Sequence, residues 1–135
     1  MSRGLRNRNP GNIRRSRTTY KGETASADPE FKAFETMAWG YRAMFVLLHT
    51  YRVRHGCTTL RAMINRYAPP TENHTGNYIR AVASGAGVSP DEVLDTKCRK
   101  TMVPIVAAMS RVENGEPAQM ADVAAGWELF TRFAV

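Results

Sequence analysis

The sequence predicts a mainly α-helical protein with a small, irregular or β-structured N-terminal lobe. From about residue 39 onwards, apolar residues recur every three or four positions, which is the spacing of amphipathic helices. Glycine, asparagine, serine and threonine stand where these runs begin and end. The first 35 residues lack this periodicity and are rich in residues that favour turns. The chain has 135 residues, 43% of them hydrophobic, and is expected to form one domain over residues 1–135.

Turn chemistry predicts the N-terminal lobe. Residues 9–12 (Asn-Pro-Gly-Asn) and 20–23 (Tyr-Lys-Gly-Glu) are typical of turns, because proline presets φ while glycine and asparagine accept positive φ. The intervening residues 13–20 are compatible with a short strand. Phe31 and Phe34 are expected to anchor the lobe to the core.

Periodicity and capping residues predict the helices. Thr59 and Thr75 are expected to be N-caps. Residues 89–92 (Ser-Pro-Asp-Glu) have the spacing of a capping box, with proline at the first helical position. Pro104 is expected to start or kink its helix, and residues 68–75, with two prolines, to form a loop. The predicted helices lie at residues 39–55, 60–67, 75 to about 85, from 89, 96–113 and 118–133.

Composition and motifs disfavour several classes of function. No apolar run reaches 18 residues and the N-terminus lacks an apolar signal region, so neither a membrane span nor a secretory signal is expected. Glycine-rich phosphate loops, His-Glu-x-x-His and a nucleophile elbow are missing, so no cofactor or metal is expected. Cys57 and Cys98 are expected to be reduced, buried thiols, with a single disulfide as the alternative.

The net charge of +7 is concentrated early in the chain. A basic segment favours polyanions, such as nucleic acid or the anionic surface of a bacterial envelope, or else forms a solvated face. No predicted helix combines clustered Arg or Lys with base-reading Asn or Gln, so nucleic acid is not expected to be a partner. The basic residues before the first acidic one, Glu23, are Arg3, Arg6, Arg8, Arg14, Arg15, Arg17 and Lys21.

One carboxylate is distinguished by its position. Apolar residues at i, i+4 and i+7 from Ile105 mark one face of a helix that Asn114 and Gly115 terminate, so Glu113 falls on its last turn. The negative end of the helix dipole and an apolar setting both disfavour an ionised carboxyl. A carboxyl kept protonated near neutral pH can act as a general acid. From this pattern alone, a solvated helix end is the favoured interpretation.

Two segments are distinctive: residues 3–14 (Arg-Gly-Leu-Arg-Asn-Arg-Asn-Pro-Gly-Asn-Ile-Arg) and residues 64–79, which contain Tyr-Ala-Pro-Pro-Thr-Glu-Asn. With weaker segments at 20–22, 31–34, 40–43 and 113–115, they resemble a family of phage and prophage proteins with a lysozyme-like fold, described as virion structural or peptidoglycan-hydrolase-like proteins. The resemblance spans most of the chain. Tyr20 and Tyr67 stand where that family is expected to have tryptophan. In lysozyme-like glucosaminidases and transglycosylases the helix ending in the catalytic Glu comes first; here it comes late, which resembles a circular permutation.

The resemblance implies cleavage of peptidoglycan glycan strands, by a muramidase, glucosaminidase or lytic transglycosylase. Glu113 would be the general acid and Glu23 a second carboxylate across the cleft, although a lytic transglycosylase would need no second carboxylate. The rivals of Glu23 are Glu35, Asp28 and Glu72. The alternative is a non-catalytic virion or cell-wall-binding protein of the same fold. In either case the partners would be bacterial peptidoglycan or virion proteins. The protein would be made in the host cytoplasm and would act at the bacterial cell wall or be carried in a phage virion. The implied substrate-binding residues are Tyr67, Tyr20, Asn9, Asn12, Glu72 and Asn73.

Overall fold

The structure is a computed structural model and describes residues 1–133. Helices make up most of it and a two-stranded antiparallel sheet lies near the N-terminus, so the predicted mainly α-helical class is confirmed. In chain order the elements are α1 (Arg3–Arg6), β1 (Glu23–Thr24), β2 (Ala33–Phe34), α2 (Met37–His55), α3 (Leu60–Tyr67), α4 (Thr75–Ala86), α5 (Arg99–Asn114) and α6 (Met120–Arg132).

Helix α2 lies at the centre of the core. It packs most extensively against α6, while α4 packs against α5. Three aromatic rings join α2 to α6: Phe45 meets Trp127 edge-on at 5.0 Å between ring centroids and stacks on Phe130 at 5.9 Å. Phe130 is fully buried, and burial of such large apolar side chains is the main stabilising contribution to this part of the fold.

The helix ends follow the predicted capping chemistry in most places. Gly56, Gly87 and Gly115 adopt left-handed φ values of 64°, 68° and 73° and terminate α2, α4 and α5. Thr59 accepts a hydrogen bond from Ala62 N at 3.2 Å and caps α3, as predicted.

The predicted cap at Thr75 is wrong. The N-cap position of α4 is held by His74, and Thr75 is the first helical residue. The Thr75 hydroxyl donates to the carbonyl of Ala68 and is therefore used to close the proline-containing loop at 68–75. The loop itself is confirmed.

The helix predicted from residue 89 does not form. Glu92 accepts a hydrogen bond from Ser89 N at 2.9 Å, as a capping box requires, but the segment stays a turn. Leu94 instead donates from its backbone N to Thr58 O at 2.9 Å, and its side chain is buried. This long-range pairing and burial outweigh the local helix signal. The next helix begins at Arg99 instead of residue 96, with Pro104 inside it.

The N-terminal lobe differs from the prediction in two ways: residues 13–20 do not form the expected strand, and the lobe contains a short helix. Within 13–20 only Arg14 forms an isolated bridge, with Phe31, and the paired strands are β1 and β2 instead. The short helix α1 was not predicted, because four residues are too few to show a period. Phe34 is buried, as expected of an anchor, while Phe31 is half-buried.

The thiols of Cys57 and Cys98 are free, as predicted. The predicted burial is wrong, because both residues are only half-buried. Within residues 1–133, no helix combines the length and the apolar character needed to cross a membrane.

Candidate functional site

Glu113 lies at the floor of a cleft, on the last turn of α5. Its carboxylate oxygens are held by two different elements. Oε1 accepts a hydrogen bond from Asn12 Nδ2 at 2.9 Å, and Oε2 accepts one from the Tyr78 hydroxyl at 2.9 Å. Glu113 is thus fixed between the N-terminal lobe and α4, and not solvated at a frayed helix end.

The surroundings of Glu113 raise the pKa of its carboxyl group above the ordinary value. Burial is the dominant cause; the hydrogen bonds from Asn12 and Tyr78 and the positive charge of Arg14 oppose it. Burial together with the charge on Glu113 also raises the pKa of Tyr78 well above its usual range. Tyr78 therefore stays protonated and remains a donor, while the carboxyl of Glu113 is more easily protonated than an exposed one.

The N-terminal segment is bound directly to the end of α5, and this contact places Asn12. Asn114 donates from Nδ2 to Pro10 O at 2.8 Å and accepts from the Ser2 hydroxyl at 2.7 Å. Asn12 has a left-handed φ of 48°, which asparagine tolerates better than most residues and which turns its amide towards Glu113. The turn predicted at 9–12 is therefore also the support of the acid.

Gly11 allows the turn at residues 9–12 to pack closely against Tyr67. The Tyr67 hydroxyl donates to Gly11 O. A Cβ atom on Gly11 would lie 2.8 Å from Met44 Cγ and closer still to the Tyr67 hydroxyl, so a larger residue cannot be accommodated without displacing them. The two distinctive segments of the sequence thus meet at one contact beside Glu113.

The cleft above Glu113 has a volume of about 360 Å³. Tyrosine rings, amides, cations and two carboxylates surround it, a mixture suited to a polar ligand with apolar faces. We call it the Glu113 cleft; its lining includes Asn12, Arg14, Tyr20, Phe31, Tyr51, Arg66, Tyr67, Pro69, Glu72, Asn73 and Glu113.

Six of the residues singled out in the sequence line this cleft: Glu113, Tyr67, Tyr20, Asn12, Glu72 and Asn73. Glu72 is exposed, and its Oε2 lies 3.4 Å from Arg14 Nη2. Asn73 is also exposed and donates to Pro69 O at 3.2 Å. Both therefore lie at the solvent-facing rim, whereas Glu113 lies deeper.

Glu23 and Asn9 do not line the Glu113 cleft. Lys32 Nζ binds both oxygens of Glu23, at 3.0 and 3.1 Å, so its charge is neutralised by a buried cation. Asn9 is fully buried: its Nδ2 donates to Ile13 O and Lys32 O, and its Oδ1 accepts from Ile13 N. Instead of the expected roles in catalysis and binding, Glu23 and Asn9 stabilise the N-terminal lobe.

The rival carboxylates Asp28 and Glu35 also lie outside the cleft lining. Asp28 is bound by Arg3 Nε at 2.6 Å and Nη2 at 2.8 Å, and these hydrogen bonds hold the pKa of its carboxyl well below the usual range. Glu35 is exposed. Asp28 therefore supports the lobe, and Glu72 is the remaining carboxylate that shares the cleft with Glu113.

The sequence analysis did not single out Tyr78. Its ring is buried, but its hydroxyl reaches Glu113. A signal was available, because a tyrosine on the inner face of a helix needs a partner for its hydroxyl. Tyr51 and Arg66 were missed as well, since their positions in the cleft depend on how α2 and α3 pack.

Among residues 1–133 there is no group of three or more His, Cys, Asp or Glu side chains placed to hold a metal ion. The groups available for chemistry in the cleft are the half-buried carboxyl of Glu113 with its two donors, the exposed carboxylate of Glu72 and the tyrosine-lined walls.

The sequence has a relative among phage proteins. It is 36% identical to protein P5 of Pseudoalteromonas phage PM2 over 132 residues, an alignment that covers 94% of this chain and 81% of that protein. No model of a known protein family matches the sequence. Because the identity extends over nearly the whole chain, this chain belongs to the family of protein P5 of Pseudoalteromonas phage PM2.

Proposed function

We propose that the Glu113 cleft binds and cleaves the glycan strands of bacterial peptidoglycan, with Glu113 as the general acid. The observation that carries this proposal is a half-buried carboxyl with a raised pKa at the floor of a tyrosine-lined cleft. Raising the pKa of one carboxyl by burial is the usual means by which glycosidases keep an acid protonated. A lysozyme-like fold with its acid-bearing helix late in the chain is part of the same proposal.

The walls of the cleft suit a sugar polymer. The rings of Tyr20 and Tyr67 offer apolar faces, on which the C–H faces of sugar rings pack. The amide of Asn73 at the rim provides a hydrogen-bond donor and acceptor for hydroxyl and N-acetyl groups. Asn12 acts differently: its amide is already bound to Glu113 and serves as a positioning residue.

A mechanism without a second carboxylate fits the cleft best. Protonated Glu113 donates its proton to the glycosidic oxygen and the bond from that oxygen to the anomeric carbon breaks. A hydroxyl of the same sugar then attacks the anomeric carbon and returns its proton to the Glu113 carboxylate, which yields an anhydro sugar without water. Glu72, the other carboxylate in the lining, is exposed and close to Arg14, so its environment gives no reason for a role as base or nucleophile.

Mass spectrometry of the products from purified peptidoglycan sacculi tests this function. The protein is incubated with sacculi and the soluble fraction is analysed for muropeptides. We expect soluble glycan fragments that end in anhydro sugars. Fragments with reducing ends would still support cleavage of the glycan strand. They would show that water, and not a hydroxyl of the sugar, attacks the anomeric carbon. A soluble fraction without glycan fragments would overturn the proposed activity.

A second candidate is a phage protein that binds the cell wall without cleaving it. The relationship to a phage protein supports this candidate better than the first, because it says nothing of catalysis. Two hydrogen bonds donated to Glu113 also favour its ionised form, which cannot act as an acid. Sedimentation separates the two candidates: a binding protein would pellet with sacculi and leave no glycan fragments in solution.

A further inference from the structure

A second concave surface adjoins the Glu113 cleft along the outer side of α2. Its volume is about 690 Å³, and no Asp or Glu occurs in the lining found among the described residues. We call it the basic groove, because its charged lining residues are Lys21, Arg42, Arg54 and Arg66.

The cations of the basic groove form no ion pair with an acid among the described residues, unlike several other arginines of the surface. Elsewhere, Arg61 is paired with Asp91 at 2.8 Å and Arg99 with Glu128 at 2.7 Å. Arg66 instead donates to His55 Nε2 at 3.3 Å, and its guanidinium lies 5.3 Å from the centroid of the Tyr51 ring. Neither contact neutralises its charge, so Arg66 is available to an external anion.

Arg42 adds a positive charge at the wall of the groove. Its side chain is 3% exposed, its Nη2 donates to Phe133 O at 2.8 Å, and within residues 1–133 its Nε has no hydrogen-bond partner. A buried guanidinium without an acid is unfavourable in isolation, and a negative charge in the groove would offset part of that cost.

The basic groove and the Glu113 cleft meet at shared residues. Tyr20, Tyr51 and Arg66 line both surfaces. Arg66 therefore lies at the junction between the cleft, which contains Glu113, and the groove, which contains the other cations of that surface. A polymer lying in the Glu113 cleft would bring its neighbouring units or substituents over the basic groove.

We propose that the basic groove is a subsite for carboxylate groups carried as substituents on the glycan strand in the Glu113 cleft. This inference rests on the function proposed above. The two ends of the combined surface differ in charge, since Arg14 and Arg66 balance Glu72 and Glu113 in the cleft, whereas all the charged residues that line the groove are cations. The ligand must then be neutral at one end and anionic at the other.

That charge distribution selects between classes of polyanion. A nucleic acid strand carries a phosphate at every unit, about one per 3.4 Å, and would bring phosphates against the carboxylate of Glu72 in a cleft whose lining has no excess of cations. A neutral glycan with acidic side branches avoids this repulsion, because its charges are set apart from the sugar chain. The arrangement favours peptide-substituted glycan over nucleic acid or a phosphate polymer.

A matched pair of ligands tests the subsite. One ligand is a soluble, uncrosslinked glycan strand with free carboxylates on its peptide stems; the other is the same strand after amidation of those carboxylates. Binding is measured by titration calorimetry with the Glu113→Gln variant, so that no cleavage occurs. We expect amidation to weaken binding about tenfold, and rising salt to weaken only the native strand.

Substitutions locate the effect. Arg54→Gln with Arg66→Gln should reduce the difference between the two strands to less than about twofold. The matched control is Arg80→Gln, an exposed arginine on α4 that lines neither surface, and it should retain the full difference.

Equal binding of native and amidated strands would overturn the subsite, and so would tighter binding of a glycerol-phosphate polymer or of single-stranded DNA than of the native strand. The subsite and the proposed activity fail separately. Discrimination between the strands without any cleavage by the wild-type protein would contradict the activity alone. Cleavage without discrimination would contradict the subsite alone, and no binding of either strand would contradict both.

Discussion

In the helical body, residues 37–133, buried apolar side chains far outnumber buried polar ones, whereas the N-terminal segment, residues 1–34, buries as many polar side chains as large apolar ones. Phe130 and Met44 have no exposed surface in the body. Asn9 and Lys32 are buried in the segment, where they bind backbone carbonyls and the carboxylate of Glu23. The body is therefore stabilised mainly by apolar burial and the segment to a larger extent by hydrogen bonds.

The difference between the segment and the body also affects the pKa values of two carboxyl groups, those of Asp28 and Glu113. Asp28 in the segment is bound by Arg3, and the pKa of its carboxyl is held below the usual range. Glu113 faces the segment from the body, where burial dominates and the pKa of its carboxyl is raised. An acid bound by a charged donor is kept ionised, while a half-buried acid bound by two neutral donors is more easily protonated.

Removal of a buried ring should have the largest effect on stability. Phe130→Ala leaves a cavity between α2 and α6 and should lower the free energy of unfolding by about 4 kcal/mol. Denaturant unfolding followed by circular dichroism measures this. Val53→Ala, at a position that is 60% exposed, is the control and should change little. A loss below about 2 kcal/mol for Phe130→Ala would show that the body does not depend on this packing.

Removal of the buried amide in the segment should cost slightly less. Asn9→Ala leaves the N–H and C=O of Ile13 and the C=O of Lys32 without these partners, and should lower the free energy of unfolding by about 3 kcal/mol. Hydrogen exchange should show the loss of protection concentrated in residues 4–34. Asn65→Ala removes an exposed amide bonded to Arg61 O and is the control. Equal losses in the two variants would contradict a central role for Asn9.

Acid should weaken the segment through Asp28. A carboxyl whose folded pKa is lowered contributes stability above its unfolded pKa near 4, and this contribution is lost as the pH falls. The difference in melting temperature between the wild-type protein and Asp28→Asn should therefore shrink between pH 5 and pH 2. A constant difference over this range would mean that the ion pair with Arg3 is not linked to folding.

Glu113 should show the opposite dependence with a smaller amplitude. A carboxyl whose folded pKa is raised destabilises the protein as the pH rises from below the unfolded pKa through the folded one. Relative to the wild-type protein, Glu113→Gln should thus gain melting temperature between pH 3 and pH 7. If the wild-type protein gains instead, the hydrogen bonds from Asn12 and Tyr78 outweigh burial and the acid is ionised.

Sequence reasoning succeeded where a local signal coincides with the final contact. The helix ends at Gly56 and Gly115 needed only the left-handed preference of glycine, and these positions were predicted. Sequence reasoning failed where contacts between residues far apart in the chain determine the local structure. The helix expected from residue 89 is replaced by pairing of Leu94 with Thr58, which local periodicity does not report.

The same limit applies to the site. Glu113, Asn12 and Tyr67 were predicted together through the family resemblance, because Asn12 and Tyr67 lie in its two distinctive segments and Glu113 in a weaker one. The absence of Glu23 from the cleft lining was not predicted, since the sequence does not show that Lys32 is buried beside Glu23 and binds it. The sequence analysis considered only the basic residues of the N-terminal segment as a binding surface for polyanions. The cations of the basic groove come mainly from α2 and α3, and only the packing of these helices brings them together.

The most direct measurement compares Glu113→Gln with Glu116→Gln for the release of soluble glycan fragments from purified sacculi. Glu116 is exposed, lies three residues further along the chain and does not line the Glu113 cleft. We expect Glu113→Gln to lose at least about 100-fold in rate with the fold intact by circular dichroism, and Glu116→Gln to stay within about twofold of the wild-type protein. Full activity of Glu113→Gln, or no release by the wild-type protein, would contradict the assignment of Glu113 as a general acid.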